Sequence, residues 1–286
     1  MAVHKRGYRR YQGPLTSRWA RLMVLPRFGW ERLTQQRVIV VLFVISMFWP
    51  VACGIFVYLS NQTALQQQFA IELPAFLKVD NQFFLLFMTS QSVLAMILSA
   101  LAGPSLIAPD LGNGALPLYF SRALSRWEYV VARLLVLAGL LSPVTWIPGV
   151  LLFFMQSSMA GWYWFSENWH IGAGVFLGFL LWNLLVSLVA LACSAYVKWR
   201  VVAGALVLGV FFVLAGATRL TNMVLRVEWA SAFNPAKAFL QIWHSLLGLP
   251  PEPGPGALEC FITIGLMTAL LVAVLRRKLR PVEVVS

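Results

Sequence analysis

Charged residues are scarce in this sequence, and most of them are basic. Of the 286 residues, 11% are charged and 60% are hydrophobic, and the mean hydropathy is +0.77. Soluble domains usually carry about 25% charged residues. A chain of this length could bury a core, but it has too few polar residues to cover one in water. We therefore expect an integral membrane protein.

Motifs typical of enzymes and nucleotide-binding proteins are also missing. The sequence has no G-x-x-x-x-G-K-[ST] loop for nucleotide phosphates, no H-E-x-x-H zinc motif and no G-x-S-x-G nucleophile elbow. Its three histidines are scattered, and its three cysteines lie in or beside apolar runs without the spacing of metal ligands. These absences predict a chain that is not an enzyme and that binds no metal or cofactor of its own.

Six apolar runs are long enough to cross the hydrocarbon core of a membrane, which takes about 20 helical residues. The alternation typical of β-barrel strands is absent, so helices must satisfy the backbone. The sequence predicts an all-α integral membrane fold, with a transmembrane domain at residues 38–275. Its six spans are expected at about Val38–Leu59, Phe83–Ala102, Val130–Phe154, Ile171–Val197, Val201–Ala217 and Ala257–Leu275.

The distribution of basic residues predicts the orientation of these spans. With six spans both termini lie on one side, and that side collects 18 of the 22 Lys and Arg residues. By the positive-inside rule this side is cytoplasmic, in a multi-pass protein of the cell (inner) membrane. The net charge of +12 then needs no nucleic acid partner, because anionic lipids of the bilayer attract basic residues. The opposite side has four basic residues, Lys78, Arg219, Arg226 and Lys237.

The segments outside the apolar runs also have a predicted structure and location. Residues 1–37 form a basic cytoplasmic segment whose mixed Trp and Arg residues predict an amphipathic interfacial helix, broken near Pro26; a loosely ordered tail is the alternative. An external loop with three Trp residues is expected at about 155–170. The external segment at about 218–256 contains "FNPAKAFLQIWHSLL", which predicts a short amphipathic helix at the outer interface. Residues 276–286 form a cytoplasmic tail.

Two charged residues, Arg133 and Glu259, lie inside predicted spans but near their ends, where a long side chain can extend to the membrane surface. The other polar residues inside the spans are neutral. A charge near the middle of a span would cost about 2.5–3.5 kcal/mol and would mark an ion or proton pathway, but none is found there. Neutral polar groups either bond helices together or line a conduit. Bonding is the favoured interpretation for Asn183 and Ser187, in the fourth span. The second span contains a cluster that is also a possible substrate path, formed by Thr89, Ser90, Gln91 and Ser92.

The stretch "LIAPDLGNGALPLYFSRALSRWEY", residues 106–129, joins the second and third spans on the predicted cytoplasmic side. It belongs to a loop at about residues 103–129. Pro104 and Pro109 are expected to end the second span. Ser125 and Glu128 have the spacing of a capping box and predict the start of a new helix. A short segment between turns, with both apolar and charged residues, is typical of a docking element.

The same loop resembles that of the permease subunits of type-2, exporter-like ABC transporters. In that family it typically reads I-A-x-E/D-x-x-x-G-x-L-x-x-x-x-S-R-P-x-S-R-x-x-Y/F, and here only Ala123 departs, where the family usually has proline. The basic N-terminal helix, the six spans and "FNPAKAF" before the last span extend the resemblance over most of the chain. The matching loop residues are Ile107, Ala108, Asp110, Gly114, Leu116, Ser121, Arg122, Ser125, Arg126 and Tyr129.

The resemblance implies that the loop forms a coupling helix, which docks on a separate ABC ATPase subunit. That subunit would bind ATP and Mg²⁺, and two permeases, identical or paralogous, would form the transport path. Asp110 and an arginine would pair with charges of the ATPase, and Leu116 and Tyr119 would fill its pocket. The alternative is a non-transporting membrane anchor or signalling subunit that docks a cytoplasmic partner. The docking residues implied are Asp110, Gly114, Leu116, Tyr119, Arg122, Arg126 and Glu128.

Overall fold

The computed structural model describes residues 18–62, 78–114 and 125–278, and every regular element in these ranges is helical. A short 3-10 helix, Trp229–Phe233, precedes α8. The α-helices are α1 Arg18–Thr34, α2 Arg37–Ser60, α3 Asn81–Gly112, α4 Arg126–Leu141, α5 Trp146–Ala160, α6 Trp162–Tyr196, α7 Arg200–Leu225, α8 Pro235–Leu246 and α9 Ala257–Lys278.

Five of the described helices are individually long and apolar enough to cross a membrane, namely α2, α3, α6, α7 and α9. Together α4 and α5 also pass this test, but they bend by 41° at the break between them. Counting the bent pair as one span gives up to six. The expectation of an all-helical, multi-pass membrane protein is therefore confirmed, with five to six potential spans in the described ranges.

One end of the bundle collects most of the described basic residues. The start of α2, the end of α3, the start of α4, the α6–α7 turn and the end of α9 all lie there. Arg200 donates hydrogen bonds to Gln36 Oε1 and Ser105 Oγ, and Lys278 Nζ lies 4.9 Å from the ring centroid of Tyr196. These contacts join distant parts of the chain at what we call the basic end. The other end is called the opposite end.

The two prolines of α3 do not end that helix, which continues through both to Gly112, so this expectation was wrong. Pro104 lacks the N–H that would otherwise bond the carbonyl of Ala100. A Cβ atom at Gly204 of α7 would lie 2.7 Å from that carbonyl oxygen. Helix α7 therefore packs directly on the backbone that the proline leaves open, and this tertiary packing supports a helix that local preference would end.

Other predicted boundaries are also corrected. Helix α1 runs through Pro26 without a break. The expected external loop at 155–170 is helical on both sides of Gly161, whose φ of +92° separates α5 from α6. Helix α7 continues to Leu225, well past Ala217, so the first eight residues of the predicted external segment are helical. Helix propensity does not follow hydropathy, since Arg forms helix about as well as Leu, so hydropathy alone does not mark the end of a helix.

The amphipathic segment near the end of the chain is helical, as α8, but its apolar face is directed into the bundle. Asn234 caps the helix by accepting the N–H of Ala236 at 3.1 Å. Phe239 and Trp243 are buried, and their rings lie 5.0 and 5.9 Å from the ring of Trp182 on α6. The predicted short amphipathic helix is therefore present, and its apolar face packs against aromatic side chains of α6.

Candidate functional site

Three buried polar side chains meet at the basic end, where α3 finishes and α4 begins. Asp110 lies near the end of α3, and Tyr129 and Arg133 lie one turn apart near the start of α4. Their exposed fractions are 6%, 0% and 4%. Charged side chains are seldom buried to this extent unless they are paired. We refer to these residues, together with Arg32 of α1, as the ion cluster.

The Asp110 carboxylate is the centre of the ion cluster. Its Oδ2 accepts a hydrogen bond from the Tyr129 hydroxyl at 2.8 Å and another from Arg133 Nη2. The Arg133 guanidinium also lies over the Tyr129 ring, with Cζ 5.1 Å from the ring centroid. Two donors therefore hold the carboxylate, as a charge removed from water requires, and the cation–π contact joins these two donors to each other.

Helix α1 is attached to the same place. Arg32 Nη1 lies 3.8 Å from Asp110 Oδ1, although the Arg32 side chain is 40% exposed. Close packing adds to this ion pair, since a Cβ at Gly139 of α4 would lie 2.6 Å from the ring of Trp30. The ion cluster thus joins α1, α3 and α4, and a displacement of any one of these helices at the basic end would move the other two.

Both ends of the connection between α3 and α4 are well defined. On the α3 side, Gly114 has a φ of +62°, a conformation that suits glycine. On the α4 side, Ser125 Oγ accepts the N–H of Glu128 at 3.3 Å, and Glu128 Oε2 accepts the N–H of Ser125 at 2.8 Å. The predicted capping box is therefore confirmed, and it occupies Glu128, which the resemblance assigned to docking.

The predicted docking residues differ in what the structure shows of them. Leu116, Tyr119 and Arg122 lie outside the described residues. Arg126 is the first residue of α4. Asp110 differs from the expectation of a carboxylate presented to a partner, because its carboxylate is buried and bonded within the chain. Its position corresponds to a structural anchor of the loop, one turn before the connection begins.

Sequence reasoning missed Arg133 and Tyr129 as partners of Asp110. Arg133 was expected near the inner end of a span, where a long side chain can extend to the membrane surface. Its burial of 96% excludes that arrangement. One signal in the sequence was available. Tyr129 and Arg133 are four residues apart and so lie on the same face of a helix, and Asp110 is the acidic residue that precedes them at the end of the neighbouring apolar run.

Within the predicted polar cluster at residues 89–92 of α3, Gln91 bonds α3 to α2. Gln91 is fully buried, and its Nε2 donates to the carbonyl of Ser46 on α2 at 2.8 Å. This carbonyl is the one that loses its helical partner to Pro50, four residues later. A side chain of one span therefore satisfies a backbone group that a proline leaves open in the next.

The other members of the cluster are also bonded within the chain. Thr89 Oγ1 donates to the carbonyl of Leu85 at 3.0 Å, and Ser92 Oγ donates to that of Thr89 at 2.7 Å. The carbonyl of Ser92 accepts the indole N–H of Trp182 at 3.1 Å. Ser90 is half-buried. Gln91 and Ser92 are therefore buried within the bundle, whereas Thr89 and Ser90 are partly exposed, and a substrate path along these four residues stays a prediction.

We expect Gln91→Ala to lower the free energy of unfolding by about 1–3 kcal/mol, because it leaves the Ser46 carbonyl buried and without a donor. Pro50→Ala restores a backbone N–H at the fourth residue after Ser46. Gln91→Ala should consequently cost less when Pro50→Ala is also present. Unfolding of the four proteins in mixed detergent–SDS micelles measures the coupling, and equal costs in both backgrounds would contradict this assignment.

Asn183 and Ser187 were both expected to bond helices together, and only Asn183 does so: the Ser187 hydroxyl is buried without a hydrogen-bond partner among the described residues, so that part of the expectation was wrong. Asn183 Nδ2 donates to Thr145 Oγ1 at 2.8 Å, at the break between α4 and α5. Within the described ranges, no group of three or more His, Cys, Asp or Glu side chains could hold a metal ion.

No protein-family model matches this sequence, and no curated protein is similar enough to indicate a relative.

Proposed function

We propose that this chain is the membrane-spanning permease subunit of an ATP-driven transporter of the type-2 ABC kind. The observation that carries the proposal is the ion cluster, which fastens α1, α3 and α4 together beside the connection between α3 and α4. A connection that only had to join two helices would not need a buried carboxylate with three partners. A connection that receives force from a partner would need both of its ends fixed to the bundle.

The charge distribution supports a cytoplasmic position for this connection. Basic side chains from α1, α4, α7 and α9 lie at the same end of the bundle. By the positive-inside rule that end faces the cytoplasm, where ATP is available. Both termini are then cytoplasmic and the protein belongs to the cell (inner) membrane.

In this proposal the work is divided between chains. A separate ATPase subunit binds ATP and Mg²⁺ and docks on the loop, with Leu116 and Tyr119 in its pocket and Arg122 or Arg126 near its acidic residues. Asp110, Tyr129 and Arg133 do not touch the ATPase but transmit its movement to three helices. A second permease, identical or paralogous, completes the path across the bilayer.

Co-purification with the ATPase subunit encoded beside this gene tests the proposal. Both proteins are co-expressed, extracted in detergent and captured through a tag on the permease. We expect Tyr119→Ala to reduce the captured ATPase by about tenfold or more, as truncation of a buried aromatic anchor does at interfaces. The matched control is Tyr163→Ala, because Tyr163 is 75% exposed at the opposite end and should leave capture unchanged.

The possible outcomes separate the two candidate functions. Capture that survives Tyr119→Ala places the docking surface elsewhere on the chain. If wild type captures no ATPase, the proposal fails, and the alternative of an anchor or signalling subunit for another cytoplasmic partner takes its place. Equal amounts of folded, monodisperse permease in all samples, judged by size-exclusion chromatography, exclude misfolding as the cause.

A further inference from the structure

A cavity opens between α2 and α3 in the half of the bundle away from the basic end. Its volume is 490 Å³, which is within the range of about 300–1,000 Å³ typical of small-molecule sites. It is lined by the second half of α2 and the first turns of α3. The lining residues are Trp49, Ala52, Cys53, Phe56, Asp80, Gln82, Phe83, Leu86 and Phe87.

The walls of this α2–α3 cavity are mainly aromatic. Four of its residues carry rings, and those of Phe56 and Phe83 stack with centroids 5.4 Å apart, one from each helix. Phe87 is fully buried behind them. Aromatic faces carry partial negative charge, so they attract cations as well as apolar groups. The cavity therefore suits an apolar body that bears a positive charge.

Asp80 is the only charged residue among the described residues that line the cavity. Its Oδ1 accepts the N–H groups of Gln82 and Phe83 at 3.0 and 3.1 Å, which holds the carboxylate at the start of α3. The helix dipole contributes about half a positive charge there, so the carboxylate leaves the position negative. Lys78, two residues earlier, forms no ion pair with it within 4.0 Å in the described ranges.

We infer that the α2–α3 cavity binds a hydrophobic organic cation, with its positive group near Asp80 and its apolar body between the rings of α2 and α3. This binding needs no ATPase and can be measured on the permease alone. The further step, in which the bound cation is the transported substrate, rests on the proposed function.

Tetraphenylphosphonium is a suitable probe because tetraphenylborate has nearly the same shape and the opposite charge. Binding is measured by equilibrium dialysis against the full chain in phosphatidylglycerol nanodiscs, and binding to nanodiscs without protein is subtracted. We expect saturable binding of the phosphonium and at least tenfold weaker binding of the borate. Equal binding of the two ions, or no saturable binding of the phosphonium, would overturn the inference.

Two variants locate the site. Asp80→Asn keeps an oxygen that can cap α3 and removes only the charge, so it should raise the Kd of the phosphonium about five- to tenfold while the fold is retained. Ala52→Trp fills the cavity from an exposed position of α2 and should abolish binding. Its matched control is Val51→Trp, which lies on the same helix outside the cavity lining. Wild-type binding by both test variants would contradict the assignment.

A lipid with an amino headgroup has the same chemistry as a free organic cation. Repeating the dialysis with phosphatidylethanolamine in the nanodiscs distinguishes the two sources. Weaker apparent affinity for the phosphonium in that membrane identifies the lipid amine as a competing occupant. Unchanged affinity identifies a free cation as the occupant. Either result is independent of the ATPase capture experiment, so failure here and failure of the proposed function are told apart.

Discussion

Asp110→Ala is expected to lower the free energy of unfolding by about 3–5 kcal/mol, because it leaves the buried guanidinium of Arg133 without its counter-charge. Tyr129 also loses its hydrogen-bond acceptor. Titration of the purified protein with SDS in mixed micelles measures the change. Under the proposed function, the same variant should also weaken the coupling of ATP hydrolysis to transport, since the end of α3 is no longer fastened to α4.

Two controls test whether the loss of stability comes from the buried pair of Asp110 and Arg133 and not from any substitution at the basic end. Arg32→Ala should cost less than about 1 kcal/mol, because Arg32 is 40% exposed and its nitrogen is 3.8 Å from the carboxylate. The double variant Asp110→Leu with Arg133→Met removes both charges and should recover most of the stability lost by Asp110→Ala. A cost below 1 kcal/mol for Asp110→Ala would show that this carboxylate is not buried as described.

Gly204→Ala is expected to destabilise the protein by about 1–3 kcal/mol, because α7 and α3 are in backbone contact at this position. The added Cβ would lie 2.7 Å from the carbonyl oxygen of Ala100, and a backbone atom of a packed helix cannot rotate away. The helices must separate, which also reopens the carbonyl that Pro104 leaves without a donor. Unfolding in mixed micelles measures the loss of stability.

Two other glycines of α7 provide matched controls for Gly204→Ala. A Cβ at Gly209 or Gly216 would meet nothing within 4 Å among the described residues. Replacing either by alanine should leave stability unchanged or raise it by up to about 1 kcal/mol, since alanine favours helix more than glycine does. A destabilisation by these changes equal to that of Gly204→Ala would indicate a general effect of alanine in α7 and would contradict specific contact with Ala100.

Local patterns predicted several features correctly. Ser125 and Glu128 form the expected capping box, which depends only on residues three positions apart. The turn between α6 and α7 falls within one residue of the predicted Lys198–Arg200. Asn183 bonds Thr145 at the break between α4 and α5, as expected of a polar group that bonds helices together in an apolar span, although Ser187 does not follow this expectation. Each of these depends on neighbours along the chain or on the absence of water.

Pro26, Pro104 and Pro109 were expected to break or end helices, whereas the predicted span through Pro50 was correct. The difference has a reason that lies outside any local pattern. In α2, α3 and α1 the chain passes through Pro50, Pro104 and Pro26 and remains helical. The carbonyl that Pro50 leaves open is satisfied by Gln91, and the one that Pro104 leaves open is covered at Gly204. Both partners lie on other helices, so local propensity could not reveal them.

The candidate site was predicted only in part. The sequence indicated the right connection between spans, with Asp110 as one of its important residues. It could not indicate that the Asp110 carboxylate is directed inward, because this depends on α4 placing Tyr129 and Arg133 against the end of α3. The α2–α3 cavity was not predicted at all, since a cavity is a property of how two helices pack and not of either sequence.

Composition and periodicity by themselves determined that this protein is helical, that it belongs in a membrane and that its basic residues gather at one end. These properties follow from the transfer of side chains and backbone from water to lipid, which is nearly additive along the chain. Tertiary structure alone decided where α3 ends, which side chain donates to the open Ser46 carbonyl and what partners Asp110 has. Such contacts join residues far apart in sequence, and their energies depend on packing geometry that no single segment contains.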